Sequence, residues 1–249
     1  MTVMMKQRNR VPAVTPGTRV YAVGDIHGRL DLLIELHALI AADAAAAAAE
    51  RRVLVYVGDY VDRGPNSADV IELLLEQPLP GFEIVHLLGN HEDTLLRFPD
   101  DLSVGPSWLH YGGVETLLSY GIDIHANAWR DERELRRLQA EIRRCVPRRH
   151  VEFLRNMPLV HVEGDYLFVH AGIRPGIPIE SQVPDDLLWI RGEFLHSPRD
   201  HGMVVVHGHT ITETPDLRPN RIGIDTGAFY SNRLTCLVLD GADQMFLQT

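Results

Sequence analysis

Short apolar segments alternate with longer helix-like segments along the first part of this chain. Five of the apolar segments are rich in β-branched residues, are bounded by glycine or polar residues, and have the length of buried strands. Strands that alternate with helices indicate an α/β fold. The five segments are Val20–Val23, Val53–Val57, Ile84–Leu88, Leu167–Val169 and Met203–Val206.

Apolar residues at helical spacing follow the first two predicted strands. The first helix is expected to continue from Leu30 into the stretch Ala41–Ala49, because alanine has the highest helix propensity. The second is expected over Ser67–Gln77, with Ser67 as its N-terminal cap. This second helix would cover the sheet.

The pattern changes after the third predicted strand. Residues 93–156 are predicted to form a helical insertion, in which Trp129–Cys145 combines dense charge with apolar residues at helical spacing. This helix is interpreted either as a solvated face or as a cap that selects the substrate. Pro158–Gly172 predicts a β-hairpin, and residues 221–227 and 233–241 are expected to complete a second sheet.

A polar motif follows each of the five predicted strands. Open α/β sheets place their ligand crevices at the carboxyl ends of strands, so five such loops predict one common site. A single motif of this kind could be an ordinary turn, but five in this context are unlike chance turns. The motifs are GDIHG (Gly24–Gly28), GDYVDRG (Gly58–Gly64), GNHE (Gly89–Glu92), HAG (His170–Gly172) and HGHT (His207–Thr210).

The side chains in these motifs predict a metal centre. They offer carboxylate, amide and imidazole donors without a thiolate, a set that suits Mn, Fe or Zn. Two cations close together need an anion between them to offset their repulsion, and Asp59 is the candidate bridge. The candidate ligands are Asp25, His27, Asp59, Asn90, His170 and His209.

From about Arg19 to the C-terminus, the chain resembles the phosphoprotein phosphatase family of calcineurin-like metallophosphoesterases, most closely its bacterial serine/threonine type. Ile224–Tyr230 adds to this resemblance. The resemblance implies a four-layer α-β-β-α sandwich of two mixed sheets that holds two divalent ions, Mn²⁺ first and Fe or Zn as alternatives. It implies that Asp25 and His27 bind the first metal, that Asp59 bridges, and that Asn90, His170 and His209 bind the second.

The same resemblance implies the catalytic residues. His91 would protonate the leaving group, Asp62 would orient His91, and Arg63 and Arg191 would bind phosphate oxygens. Arg191 lies in an amphipathic segment, so a solvated helix-face charge is its alternative interpretation. The implied reaction is hydrolysis of phosphoserine or phosphothreonine, with phosphotyrosine as a further candidate, by direct attack of a metal-bound hydroxide.

One ligand is ambiguous. His207 and His209 are two residues apart at a strand end, so both can point to the same side. The family's Gly-His-Thr pattern aligns on Gly208, His209 and Thr210, which favours His209. His207 would then support the site or the fold.

Composition bounds the class of protein. A chain of 249 residues with 45% hydrophobic content can bury one sizeable core, so we expect a single domain over residues 18–249 after a mobile tail of residues 1–17. A formal charge of −10 argues against nucleic-acid or membrane partners. The two cysteines lie outside every motif, which predicts reduced thiols, a cytoplasmic location and no cysteine nucleophile.

Two other functions remain open at this stage. One is hydrolysis of dinucleoside polyphosphates, by resemblance to the related bis(5'-nucleosyl)-tetraphosphatases. The other is a non-catalytic scaffold, which is disfavoured because no candidate ligand is missing. The substrate would be a phosphorylated protein or a small phosphoester, and the oligomeric state is not predicted.

Overall fold

The computed structural model describes residues 11–76, 79–125 and 128–249. Within these residues the strands form two sheets of five, and both sheets are mixed. The strands are β1 (Thr18–Val23), β2 (Arg51–Tyr56), β3 (Glu83–His86), β4 (Val160–Glu163), β5 (Tyr166–Val169), β6 (Val204–His207), β7 (Asp216–Leu217), β8 (Arg221–Gly223), β9 (Thr235–Asp240) and β10 (Asp243–Gln248).

The first sheet has the order β10-β9-β1-β2-β3, and the second has the order β4-β5-β6-β8-β7. Strands β1, β2 and β3 are mutually parallel, and so are β5, β6 and β8. The carboxyl ends of each parallel set meet at one edge of its sheet, where the predicted polar motifs begin. The hairpin predicted over Pro158–Gly172 is formed by β4 and β5.

Helices cover the outer face of each sheet. Most of the longer ones follow β1, β2 and β3 or lie in the insertion, and the short ones lie over the second sheet or at the carboxyl end of β8. They are α1 (Leu30–Ala46), α2 (Ser67–Leu75), α3 (Asn90–Arg97), α4 (Gly105–Trp108), α5 (Val114–Ser119), α6 (Glu132–Cys145), α7 (Arg148–Arg155), α8 (Pro184–Trp189), α9 (Gly192–Leu195) and α10 (Ala228–Ser231).

The alternation along the central strands explains the layers. In β1, Val20 and Ala22 face the second sheet, whereas Tyr21 and Val23 pack under the helices. In β6, Val205 points to the outer helical layer, while the residues on either side of it face the first sheet. Strands buried on both faces read as continuous apolar runs, which is why they were visible in the sequence. The predicted four-layer α-β-β-α sandwich is confirmed.

The insertion packs on the first sheet as part of its core. Leu135, Leu138 and Ile142 of α6 are buried in the same cluster as Trp108 and residues of α1 and α2. Helix α6 begins later than predicted because the Asp131 side chain accepts a hydrogen bond from the Arg133 amide and caps it there. The apolar stripe of this helix is buried and its charged face is solvated.

The placement predicted for residues 233–241 is wrong. These residues form β9, which pairs antiparallel with β1 in the first sheet, with Val20 opposite Leu239. Residues 221–223 form β8 in the second sheet, as predicted. Strand β9 is apolar on both faces, so the position beside the fully buried β1 satisfies it better than the short edge of the second sheet.

The predicted Ser67 cap is also wrong. Asn66 occupies the cap position of α2 without a side-chain cap bond, and Ser67 is the first helical residue. The Ser67 hydroxyl instead accepts a hydrogen bond from the Asp62 amide at 3.0 Å. The helix ends at Leu75, and Gln77 lies outside the described residues.

Of the expected N-terminal tail, residues 1–10 lie outside the described part of the chain. Residues 11–17 are docked on the domain, which corrects the expectation of a mobile tail for this part. Val14 is buried between the sheets and its amide donates to the Gly241 carbonyl, while the Ala13 amide donates to Asp165. In the described residues no helix has the length and apolar character that a membrane crossing requires.

Candidate metal centre

The motif loops carry unusual backbone geometry. Six non-glycine residues in the described ranges have positive φ, and five of them are predicted site residues. This left-handed conformation costs about 1–3 kcal/mol for a non-glycine residue and is found preferentially at functional sites. The five are His27, Asp59, Asp62, Arg63 and His209.

Asp59 stands between two groups of metal-binding side chains. One group contains His27, Asp59 and His91, and the other contains Asp59, His170 and His209; within each group the ligand atoms lie within 4.8 Å of one another. Asp59 Oδ2 is 3.5 Å from His27 Nε2, whereas Asp59 Oδ1 is 3.4 Å from His170 Nε2. The two carboxylate oxygens therefore face different groups, which is the arrangement of a bridge.

Backbone carbonyls orient two of the histidines. His27 Nδ1 donates to the Val61 carbonyl at 2.8 Å, and His170 Nδ1 donates to the Val57 carbonyl at 2.9 Å. Burial lowers the pKa of both imidazoles. Each neutral ring therefore turns the lone pair of its Nε2 toward Asp59.

Asn90 brings one further acceptor oxygen to the same point. Its Oδ1 lies 2.8 Å from His170 Nε2 and 2.9 Å from His209 Nδ1. The lone pair of His170 thus faces oxygen atoms of Asn90 and Asp59 with no proton between them. Such a convergence of acceptors is repulsive unless a cation lies among them.

Buried atoms without partners point the same way. Seven buried side-chain atoms of the described residues have no hydrogen-bond partner, and four of them lie at this site: Asp25 Oδ1, His27 Nε2, His209 Nε2 and Asp225 Oδ2. Burial, together with the charges of Asp225 and Asp59, raises the pKa of Asp25 well above its usual value. Divalent cations would satisfy these atoms and stabilise the buried carboxylates, so the residues present fit a two-metal centre.

Asp225 was missed as a site residue. Burial and the charge of Asp59 raise the pKa of Asp225 to about 6. A hydrogen bond from the Gly227 amide acts in the opposite direction and lowers this pKa. The residue follows β8 at the same edge as the other motifs, within the segment Ile224–Tyr230. Its position after a strand was the signal that could have found it.

Glu92 was also missed, although it ends the GNHE motif. Its carboxylate accepts hydrogen bonds from the amides of Asp59 at 2.9 Å, Tyr60 at 2.8 Å, Val61 at 3.1 Å and Gly89 at 3.1 Å. The side chain is fully buried. Glu92 therefore fixes the loop that presents Asp59.

His91 lies beside the cluster in a hydrogen-bonded chain. Its Nδ1 donates to Asp62 Oδ2 at 2.6 Å, and Asp62 also accepts from Trp108 Nε1 at 2.9 Å and Thr116 Oγ1 at 2.6 Å. Burial acts to lower the pKa of His91. The negative charge of Asp59 and the hydrogen bond to Asp62 outweigh this effect of burial, so the pKa is raised to about 9. Trp108 and Thr116 come from the insertion, and nothing in the motifs predicted them.

The two predicted phosphate-binding arginines have different surroundings. Arg63 Nη2 lies 3.2 Å from His91 Nε2, and its guanidinium carbon lies 4.8 Å from the centroid of the Phe229 ring. Arg191 is exposed, lies between α8 and α9, and donates to Thr210 Oγ1 at 3.3 Å. Thr210 follows His209 directly, so Arg191 lies near the second group.

His207 and His209 point in different directions. His207 keeps the alternation of β6, contacts the Phe194 ring at 5.1 Å and lies 3.4 Å from Arg221 Nη1. It lines a cavity of about 1050 Å³ on the outer side of the second sheet, with Thr210 and Arg221. His209 has a positive φ, which breaks the alternation of the strand, and its amide donates to Asp25 Oδ2 at 2.9 Å. The structure thus brings His209, and not His207, into the metal-binding group.

Gly208 makes this arrangement possible. A Cβ atom at this position would lie 1.9 Å from Asp25 Oδ1, so only glycine lets the loop approach that carboxylate. The two strand ends that carry Asp25 and His209 can therefore meet.

The family comparison agrees with this geometry. A sequence model of the calcineurin-like phosphoesterase family matches residues 18–225. The chain belongs to this family. Members of the family use divalent metals, and the histidine and aspartate cluster around Asp59 supplies the side chains for them.

Relatives and solved structures show how far the likeness extends. Bis(5'-nucleosyl)-tetraphosphatase PrpE [asymmetrical] of Bacillus thuringiensis is 26% identical over 234 residues, covering 86% of this chain and 88% of that protein. A crystal structure described only provisionally as a diadenosine tetraphosphatase is 23% identical, with a TM-score of 0.62 over 96% of this chain and 98% of the other.

A cold-active protein-tyrosine phosphatase of a psychrophilic Shewanella species has a similar fold. It is 17% identical, with a TM-score of 0.55 over 98% of this chain and 86% of the other. At these identities both structural matches show the fold alone.

Proposed function

We propose that this protein is a metal-dependent hydrolase of dinucleoside polyphosphates, which cleaves a phosphoanhydride bond asymmetrically. The observation that carries the reaction is the Asp59-centred cluster with the His91–Asp62 pair beside it. The choice of substrate is supported by the relatives named bis(5'-nucleosyl)-tetraphosphatase, which match 86% of the chain. This substrate was the alternative at the level of sequence and now replaces the phosphoprotein as the first candidate.

Two divalent ions, with Mn²⁺ as the first candidate, would be held by the predicted ligands. When bound, they would make water a stronger nucleophile near neutral pH and offset negative charge on the phosphate oxygens. Asp59 would separate the two positive charges, and Glu92 would hold Asp59 in position through the loop amides. These predicted ligands are Asp25, His27, Asp59, Asn90, His170 and His209.

The chain's own residues complete the chemistry. With Arg63 Nη2 turned from His91 Nε2 to the phosphate, His91 would carry a proton on Nε2 for the leaving oxygen, because Asp62 holds its Nδ1 and stabilises the charged ring. Arg63 and Arg191 would bind phosphate oxygens and stabilise their charge during transfer. Proton donation matters less for a nucleotide leaving group than for a serine alkoxide, which is far more basic.

The second candidate is a phosphomonoesterase that acts on phosphoserine, phosphothreonine or phosphotyrosine in proteins. It is favoured by the complete Asp62–Arg63 pair next to His91, which the sequence shares with the phosphoprotein phosphatases. The fold it shares with a protein-tyrosine phosphatase is compatible with this function but does not select it.

A direct comparison of substrates tests the proposal. The purified protein is analysed for metal content and assayed with diadenosine tetraphosphate and with phosphoserine, phosphothreonine and phosphotyrosine peptides in the same Mn²⁺ buffer. We expect the largest kcat/KM on diadenosine tetraphosphate, with AMP and ATP as products.

A larger kcat/KM on a phosphopeptide would select the second candidate. Metal binding without hydrolysis of any of these substrates would indicate the scaffold.

A further inference from the structure

Two exposed aromatic rings lie beside the metal-binding cluster. Among the described tryptophan, tyrosine and phenylalanine residues, four are exposed: Tyr111, Trp129, Trp189 and Tyr230. Single exposed apolar residues need no explanation. Two of these rings, however, connect through ring contacts to opposite groups of the cluster, and no role in the reaction accounts for them.

Trp189 lies beside the second group. Its indole is 6.1 Å from the His209 imidazole, centroid to centroid, with the rings almost perpendicular at 86°. Trp189 is the last residue of α8. Its neighbours Leu188 and Ile190 are buried, whereas Trp189 itself is 46% exposed. The scaffold therefore holds this ring at the edge of the site.

Arg191 follows Trp189 by two residues and donates to Thr210, the residue next to His209. An aromatic ring and a candidate phosphate-binding guanidinium therefore both lie beside the second group, as the base and the phosphate of one nucleotide would require.

Tyr230 lies beside the first group. Its ring contacts Phe229 at 5.1 Å, and Phe229 contacts the His27 imidazole at 5.6 Å and lies under the Arg63 guanidinium. A Cβ atom at Gly227 would lie 2.3 Å from the Tyr230 ring, so the ring is seated directly on the backbone of the loop. Tyr230 nevertheless remains 59% exposed.

We propose that Trp189 and Tyr230 are stacking platforms for the nucleobases of the substrate, one beside each metal-binding group. The proposal rests on the proposed function and deepens it. A dinucleoside polyphosphate carries a planar base at each end of a polyphosphate chain, whereas a phosphopeptide usually presents no planar group in that place. The phosphates would lie over the cluster with Arg63 and Arg191, and the bases would lie on the two rings.

Stacking on protein side chains is sequence-tolerant because every base has a π-face. Such a contact is worth about 1–3 kcal/mol per base, which is about a 5- to 150-fold change in affinity. The platforms would therefore select for a nucleoside without selecting strongly among bases.

The experiment compares substrates with and without bases. Wild type, Trp189→Ala, Tyr230→Ala and the conservative Trp189→Phe are assayed on diadenosine tetraphosphate and on inorganic tetraphosphate, which is measured as substrate or as competitive inhibitor. Trp129→Ala is the matched control, because Trp129 is also exposed but has no ring contact with a site residue among the described side chains. Metal content and melting temperature are measured for every variant.

We expect each alanine variant to lose about 5- to 150-fold in kcat/KM on diadenosine tetraphosphate. This loss should exceed the change on inorganic tetraphosphate at least fivefold. Trp189→Phe should recover most of the activity, and Trp129→Ala should match wild type.

Equal changes on both polyphosphates, or no change on either, would overturn the stacking assignment while the proposed function stands. A loss on a phosphotyrosine peptide without a loss on diadenosine tetraphosphate would assign the rings to a tyrosine side chain instead. A wild-type protein that does not hydrolyse diadenosine tetraphosphate would overturn both proposals.

Discussion

The floor and the rim of the candidate site are built differently. On the floor, Asp59, Asp62 and Glu92 are almost completely buried, and each takes part in several hydrogen bonds with residues far from it in the chain. On the rim, Arg191 and Trp189 are exposed and have one polar or ring contact each to the second group. The floor is thus specified for one chemistry, whereas the rim can change with the substrate.

This contrast explains why the reaction is better supported than the substrate. A metal centre needs atoms placed to within a fraction of an ångström, and only buried, over-determined side chains provide that. Recognition of the rest of a substrate is carried by exposed residues, each of which contributes a modest amount. Related enzymes can therefore share the floor and act on different molecules.

The largest expected effect on activity comes from replacing Asp59, at the centre of the floor. Asp59→Asn removes the anion between the two groups, so we expect loss of metal and a fall in kcat of at least about 1000-fold, because several kcal/mol of charge stabilisation are lost. Elemental analysis and kcat measure the two together. Asp93→Asn is the matched control, since Asp93 directly follows the GNHE motif but its carboxylate pairs with Arg97 and belongs to neither metal-binding group.

Full two-metal occupancy in Asp59→Asn would contradict the bridging role. Loss of occupancy should also lower the melting temperature, because a ligand that binds only the folded state stabilises it.

A smaller effect is expected at the edge of the floor. If His91 protonates the leaving oxygen, His91→Asn should lose about 10²–10⁴-fold in kcat on any phosphoserine peptide that the wild type hydrolyses. The loss should be much smaller on an aryl phosphate or on diadenosine tetraphosphate, whose leaving groups need less help. Initial rates on these substrates at one pH give the comparison.

Equal losses on all three substrates would mean that His91 positions phosphate instead. Asp62→Asn should show the same dependence on the leaving group more weakly, because Asp62 acts through His91.

The smallest effect is expected on the rim. Arg191→Ala should raise KM about tenfold and change kcat little, because the exposed guanidinium makes one hydrogen bond to the protein and its interaction with phosphate is partly screened by solvent. Arg63→Ala should lower kcat as well, since Arg63 is held against His91 and Phe229. Steady-state kinetics on diadenosine tetraphosphate separate the two variants.

An Arg191→Ala variant that lost as much kcat as Arg63→Ala would remove the distinction between floor and rim. Arg136→Ala is the control, because Arg136 is an exposed arginine of α6 paired with Glu132.

Much of the fold was readable because its signals are local. Strands β1, β2, β5 and β6 are apolar on both faces, so their sequences stand out whatever lies around them. The motifs at the ends of these strands identified the side chains that could bind metal. The same reasoning placed β9 in the wrong sheet, because the sequence of an apolar strand does not indicate which strand it pairs with.

The sequence by itself determined the α/β class, the two-sided strands and the kinds of atoms that gather at their carboxyl ends, since residue type and periodicity are properties of the chain alone. Only the tertiary structure decided that His209 turns toward Asp25 while His207 turns away, and that Asp225, Glu92, Trp108 and Thr116 join the site. The physical reason is that these relations depend on the positive φ of His209 and on contacts between segments far apart in the chain. Such contacts form only when both sheets are packed together.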